Sequence, residues 1–328
     1  MKKTNDIKEE VYKCSKCGLC KSVCPLYLAT KNELYSPRGR NILLNDFFSM
    51  GKKLSKKFIN ELDICLNCNA CKEFCPSAID SASIYTSLKK VSLFFYLKIY
   101  SMFLFSYLFN FSKKYYPKKI NAKNKVIYFE GCYNLYVDSS DRNSTLKLIE
   151  KTGYEISKVV SLCCGNIFLS NSDYKSFEKN SKKIIKECNM DIDYIVCSCD
   201  SCFETLSKIQ DKHLNSKLIR LDDFLLINKY PVDVSSEFYF KPLNRKSDFS
   251  FSSKLINTKG ACSMMENFFF VKHPILAKRV FQREIFDKNI NFNNIIITSC
   301  NLTKMGLRAF LKNDILSFSE LIEKKEVD

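Results

Sequence analysis

Two runs of four cysteines have the residue type and spacing to do chemistry. The first is Cys14-x2-Cys17-x2-Cys20-x3-Cys24-Pro25 and the second Cys65-x2-Cys68-x2-Cys71-x3-Cys75-Pro76. Soft thiolates are the ligands preferred by iron in sulfide clusters. The two-residue gaps let one tight loop wrap three corners of a cube. The proline after the fourth cysteine turns the chain away and brings no backbone donor. Two such runs in matching register point to electron transfer through iron. Structural zinc, the bland alternative, uses four-ligand knots at other spacings.

The runs resemble those of a two-cluster ferredoxin, in which each run gives three ligands to one [4Fe–4S] cluster and its fourth cysteine to the other. That resemblance implies that cluster one takes Cys14, Cys17, Cys20 and Cys75, and cluster two takes Cys65, Cys68, Cys71 and Cys24.

A second set of cysteines follows: Cys132, the pair Cys163-Cys164-Gly165, and Cys199-x2-Cys202. Adjacent cysteines serve one ordinary cubane poorly, but they could hold two irons of a distorted cluster. The spacing alone leaves metal, zinc and scattered buried thiols open, since cysteine is a common core residue. The arrangement C-x30-CC-x34-C-x2-C resembles the CCG domain, the cysteine-rich domain of heterodisulfide reductases. The resemblance implies that these five cysteines hold a non-cubane [4Fe–4S] cluster.

CCG domains follow two-cluster ferredoxin domains in glycolate oxidase iron–sulfur subunits, in the electron-transfer subunit of anaerobic glycerol-3-phosphate dehydrogenase and in a membrane-type heterodisulfide reductase subunit. Two stretches resemble the glycolate oxidase family: Ser36-Pro-Arg-Gly-Arg40 after the first run, and Leu62-Asp-Ile-Cys-Leu-Asn-Cys-Asn-Ala-Cys71 with Phe74-Cys-Pro-Ser77. Arg38 and Arg40 of the first stretch suit contacts to a carboxylate or phosphate, surface ion pairs, or hydrogen bonds that tune a cluster. The chain looks short for that family around Asn244–Asn257.

The elements that must position these residues can be read coarsely. Residues 1–88 are expected to form a helical ferredoxin domain, with Arg40–Phe48 and Lys56–Leu62 as short helices by apolar spacing. Residues 89–122 are a hydrophobic, aromatic connector. Within it Val91–Phe111 could reach about 30 Å as a helix, long enough for a bilayer. Lys98 lies inside that stretch, and Tyr96, Tyr100 and Tyr107 favour an interface. A helix packed between domains, a helix lying in the membrane plane and a true span all stay open.

Residues 123–328 alternate strand and helix, with strands at Val126–Phe129, Ile195–Cys197 and Ile295–Thr298 and a helix over Ser144–Thr152 ending at Gly153. This half repeats itself. Asp193–Cys199 aligns with Asn294–Cys300, Leu162–Gly165 with Gly260–Ser263, and Ile127–Cys132 with Phe238–Leu243. The second copy keeps Cys262 and Cys300 and carries Leu243, Ala261 and Thr303 at the other ligand positions, so two buried structural cysteines are expected there. The fold class is therefore α+β multidomain: an all-helical two-cluster ferredoxin domain, then an α/β CCG domain of two pseudo-repeats, the first intact and the second degenerate.

The chain has 328 residues, 17 cysteines and a formal charge of +17. Met1 to Tyr12 are mostly charged and read as no export signal. That and the odd cysteine count favour a reducing cytoplasm over a disulfide framework. The positive charge suits an anionic membrane face or an acidic partner, or is drift toward lysine. No nucleic-acid motif is present. His213 and His273 read as surface or capping residues. No G-x-G-x-x-G follows a strand, so the flavin expected of a 2-hydroxyacid dehydrogenase belongs to a partner.

The expectation is an iron–sulfur electron-transfer subunit of a flavin-linked 2-hydroxyacid (glycolate/lactate-type) dehydrogenase. It would carry two [4Fe–4S] clusters with a non-cubane one beside them, work with an FAD-linked subunit and a quinone or membrane surface, and sit in the cytoplasm, with a peripheral place on the inner face of the cell membrane left open. The alternatives are a heterodisulfide-reductase-like subunit with a catalytic non-cubane cluster and a glycerol-3-phosphate dehydrogenase electron-transfer subunit.

Overall fold

The computed structural model describes residues 4–51, 55–62, 64–88, 97, 99–101, 104–105, 115–117, 122–209, 211–230, 238–241, 254–257, 269–286, 295–311 and 313–327. Most of the connector stretch Val91–Phe111 lies outside them, as do Leu243, Ala261 and Cys262. Two compact units are present. The first comprises residues 1–91, 167–173 and 258–290, and the second residues 92–166, 174–257 and 291–328.

The described part of the first unit is helical. Helices Thr4–Tyr12, Pro37–Ser49, Lys56–Leu62 and Ser81–Leu88 pack Ile7, Val11, Leu44, Phe48, Leu62, Ile84 and Tyr85 into one core. The expected helix at Arg40–Phe48 begins three residues earlier, at Pro37, and the reason is local. The Ser36 Oγ accepts from the Gly39 N–H at 2.9 Å, so Ser36 is the N-cap and Pro37 takes the first helical position, where a missing N–H costs nothing. Gly39 is required by close approach: a Cβ there would stand 2.2 Å from the Glu33 carbonyl oxygen.

The second unit holds two four-stranded sheets. Strands β1 (Lys125–Phe129), β2 (Glu155–Val160), β3 (Tyr194–Cys197) and β4 (Leu218–Arg220) form the first, in the order β2-β1-β3-β4. Strands β5 (Phe238–Lys241), β6 (Lys254–Asn257), β7 (Ile296–Thr298) and β8 (Ile315–Ser317) form the second, in the order β6-β5-β7-β8. Every pairing is parallel. Near-continuous apolar runs suit such strands, which are covered on both faces; four of the five β1 residues are buried.

The aligned repeat reappears as one shared register. Ile127 pairs with Ile195 in the first sheet, and their sequence counterparts Phe238 and Ile296 pair in the second. One core joins both sheets. It includes Val126, Tyr128 and Val196 from the first, Ile297 from the second, and Leu146, Ile149, Phe318 and Leu321 from helices Ser139–Lys151 and Phe318–Val327. In the first sheet the chain runs from β1 outward to β2 and then returns to the other side of β1. The strand order therefore reverses between β1 and β3, and such a point opens a crevice at the carboxyl ends of the strands.

Candidate metal centres

The two cysteine loops of the helical unit share a backbone path. Lys16 and Gly18 in the first loop have φ of 60° and 87°, and Asn67 and Asn69 at the matching places in the second both have φ of 55°. Two left-handed residues in each loop curl it around a space. Glycine and asparagine tolerate that region best.

Two cavities result. Cys14, Cys17, Cys20 and Cys75 line one, together with Cys71; the space is about 390 Å³, its opening to solvent included. Cys24, Cys65, Cys68 and Cys71 line the other, of about 350 Å³ on the same measure. The first cavity thus takes three cysteines from its own run and Cys71 and Cys75 from the other, and the second takes three from its own run and Cys24 from the other. Cys71 stands in the wall between them.

The donor set fits an iron–sulfur cluster. Burial pushes the Cys20 thiol up to about 11 and the Cys68 thiol up to about 12, and raises Cys24 and Cys71 as well. Thiols this reluctant to ionise become thiolates when a metal charge is present. Second-layer donors are also in place: the Asn67 N–H points to Cys65 Sγ at 3.4 Å. Arg40 lines the second cavity while 2% exposed, and its Nη1 has no hydrogen-bond partner among the described residues.

In the second unit the cysteines come from the strand ends facing that crevice. Cys132 lies three residues after β1, Cys163 and Cys164 follow β2, and Cys199 follows β3. The buried Glu130 that leads into Cys132 is held by Arg142 Nε at 2.6 Å. The thiols form a row, Cys132, Cys163, Cys164, Cys202, Cys199 and Cys300, in which each acts on the ionisation of the next. Hydrogen bonds from Cys132 and Cys164 pull the Cys163 thiol well below its ordinary value, and those from Cys202 and Cys300 do the same for Cys199. Cys132, Cys164 and Cys202 are raised as their partners in that exchange and by burial. Among the described residues no three His, Cys, Asp or Glu side chains close on the position of a single metal ion.

Cys300 is the member that sequence reasoning missed. It is buried, as expected of a structural cysteine, but it belongs with the first repeat's five. It follows β7 as Cys199 follows β3. The two loops are tied by the Asp200 N–H donating to the Ser299 carbonyl at 3.1 Å and by the Ser299 hydroxyl donating to the Asp200 carboxylate. The repeat alignment itself carried the signal, because equivalent positions of paired sheets meet when the sheets share a core. Cys188 and Cys197 are buried core thiols outside the row.

Comparison with known proteins places two domains on the chain. A 4Fe-4S dicluster domain matches residues 10–79, and the cysteine-rich CCG domain matches residues 126–207. The glycolate oxidase iron-sulfur subunit of Escherichia coli (strain K12) is 38% identical over 66 residues, which are 20% of this chain and 16% of that protein. The probable glycolate oxidase iron-sulfur subunit of Bacillus subtilis (strain 168) is 33% identical over 81 residues, 23% of this chain and 18% of that one. One subunit of the dihydromethanophenazine:CoB–CoM heterodisulfide reductase of Methanosarcina acetivorans is 21% identical over 257 residues, covering 66% of this chain and 62% of that protein. The matched stretches thus span less than two thirds of each relative. No solved structure matches the chain.

Proposed function

We propose that this member of the family joining a 4Fe-4S dicluster domain to a CCG domain, the family of the glycolate oxidase iron–sulfur subunits, is the electron-transfer subunit of a flavin-linked 2-hydroxyacid dehydrogenase. The observation that carries this reading is the crossed lining of the two cavities, with Cys14, Cys17, Cys20 and Cys75 around one and Cys24, Cys65, Cys68 and Cys71 around the other. Clusters held there supply one-electron transfer at a potential set by burial and hydrogen bonds to sulfur. Along the sequence we assign 1–88 to the two-cluster part, 89–122 to the connector and 123–328 to the CCG part, although residues 167–173 and 258–290 pack with the first compact unit.

Hydride removal from an alcohol needs an organic acceptor such as flavin. A partner subunit provides it, and this chain accepts the electrons singly and passes them toward quinone. Its own residues do the positioning. The left-handed loops wrap the ligands, and Ser36 and Gly39 bring the arginine-bearing helix against them. Among the described residues no helix is long and apolar enough to cross a membrane. Leu97, Tyr100, Leu104 and Phe105 in the connector are exposed, which supports docking on the inner membrane face.

The row of thiols favours a second reading, a heterodisulfide-reductase-like subunit in which Cys132, Cys163, Cys164, Cys199 and Cys202 hold a catalytic non-cubane cluster. Disulfide reduction by this chain with an electron donor and no flavoprotein selects that reading.

Anaerobic purification with iron and sulfide counting and EPR tests the whole. About eight irons indicate the two cubanes, and about twelve add the CCG cluster. Cys164→Ser is expected to lose the third cluster and leave the cubane signals. A zinc-only protein ends the proposal.

A further inference from the structure

The two cavities differ in their arginines. Arg38 lines the first, and its charge is spoken for: Nε donates to the Lys16 carbonyl at 2.9 Å and Nη1 pairs with Glu33 at 3.0 Å, with about a third of the side chain exposed. Arg40 lines the second and is buried. Its Nε and Nη2 donate to the carbonyls of Ser36 and Tyr35 at 3.3 and 2.7 Å. Its guanidinium lies 4.9 Å from the centre of the Tyr85 ring. Nearby are Cys24, Cys65 and Cys71, and among the described residues no salt bridge to Arg40 is formed; a carboxylate near this cavity, Glu284, acts on Cys68. Nη1 is left over, a buried cationic donor on the wall of a cavity lined by thiols. An unmet buried donor is costly, more so when charged, so the position is stable when an acceptor occupies the cavity.

We propose that Arg40 Nη1 donates to sulfur of the cluster held by Cys24, Cys65, Cys68 and Cys71 and sets that cluster's reduction potential above its neighbour's. The inference rests on the proposed function. The physical basis is charge: one-electron reduction adds a negative charge, and an unneutralised cation in a dry wall stabilises the reduced form. The first cavity lacks this, because Arg38 shares Glu33 with Lys21 and all three side chains are part exposed, so solvent screens their charge. With clusters bound, Arg40 would favour the electron on the second of them, giving the pair a direction.

EPR-monitored redox titration of the anaerobically purified chain, with iron counted alongside, is the test. In Arg40→Met, one cubane signal is expected to drop by about tenfold in its reduced-to-oxidised ratio at a fixed potential, about 59 mV for one electron, with the other unmoved and the iron retained. Arg40→Lys, which keeps the charge and loses the planar fork, is expected to fall between. Unchanged potentials, or an equal fall in both signals, overturn the proposal. If Arg40→Met loses iron, Arg40→Gln decides by the same single shift, and loss of iron from all three variants makes Arg40 a folding residue and overturns it too. Wild-type protein without cubane signals is a different outcome, since it removes the proposed function itself.

Discussion

The Cβ that Gly131 lacks would stand 2.9 Å from Cys202 Sγ, and the residue sits at φ +70°. Gly131→Ala therefore forces a left-handed alanine and displaces a thiol of the row at once. The backbone part alone costs about 1–3 kcal/mol. The variant is expected to unfold at a lower temperature and, on iron analysis, to retain the cubane irons while losing those of the CCG unit. This requirement was half legible beforehand. The cysteines around Gly131 are visible because ligand spacing is a local property of the chain, whereas the contact with Cys202 spans 71 positions. Cys300 escaped for the same reason, since its partner Cys199 lies in the other repeat. Arg40 was visible as part of Ser36-Pro-Arg-Gly-Arg40, but its burial depends on where helix Pro37–Ser49 packs.

Among the elements, helix Asn301–Phe310 hides a charge. Its Lys304 is 0% exposed, and Nζ lies 2.7 Å from Asp138 and 2.5 Å from Glu320, both themselves buried. Asp138 caps helix Ser139–Lys151, and Glu320 lies on helix Phe318–Val327, so one ammonium ties elements of both repeats. Burial alone would raise the Asp138 carboxyl, but Lys304 and Arg308 outweigh it and hold it below its ordinary value. Lys304→Met strands two buried carboxylates, and urea unfolding is expected to show a loss of about 3–5 kcal/mol. A variant within about 0.5 kcal/mol of wild type would show that Arg308 carries the network alone. From the sequence, Lys304 reads as a solvated lysine.

The helix that Asp138 caps also begins five residues before the expected Ser144, because Ser139-Ser-Asp141 looks like a loop until the Asp138 carboxylate accepts from the Asp141 N–H. Central strands were the legible ones: Val126–Phe129, Ile195–Cys197 and Ile295–Thr298 differ from the observed strands by one residue at the start. β2, an edge strand reading Glu-Ile-Ser-Lys-Val-Val, has too mixed a pattern to stand out.

At the scale of the whole molecule, loading should depend on pH. In the helical unit Cys20 and Cys68 are thiols in the empty chain at neutral pH, because burial puts them at about 11 and about 12. Binding iron releases their protons, so raising the pH favours the loaded state. Apparent affinity for iron is expected to rise at least about tenfold per unit between about pH 6 and 8, with acid released into weakly buffered solution during reconstitution; a pH-independent loading curve would contradict iron uptake by protonated thiols. The duplicated half was the most legible feature at this scale, because a repeated register needs no knowledge of packing. The assignment of residues 167–173 and 258–290 to the helical unit was not, as such returns of the chain leave no local mark.

The borrowed wall cysteines make the helical unit a ring closed at both ends. Cys75 stands in the first cavity and Cys24 in the second, so neither enclosure is complete until the segment between the runs has folded back on itself. Closing about 40 residues carries an entropic cost of about 3 kcal/mol, incurred once for both. Assembly then tends to be all-or-none, with half-filled molecules scarce. Damage is shared in the same way: an oxidant that removes a single corner at the exposed Cys17 loosens the closure on which the other enclosure also depends.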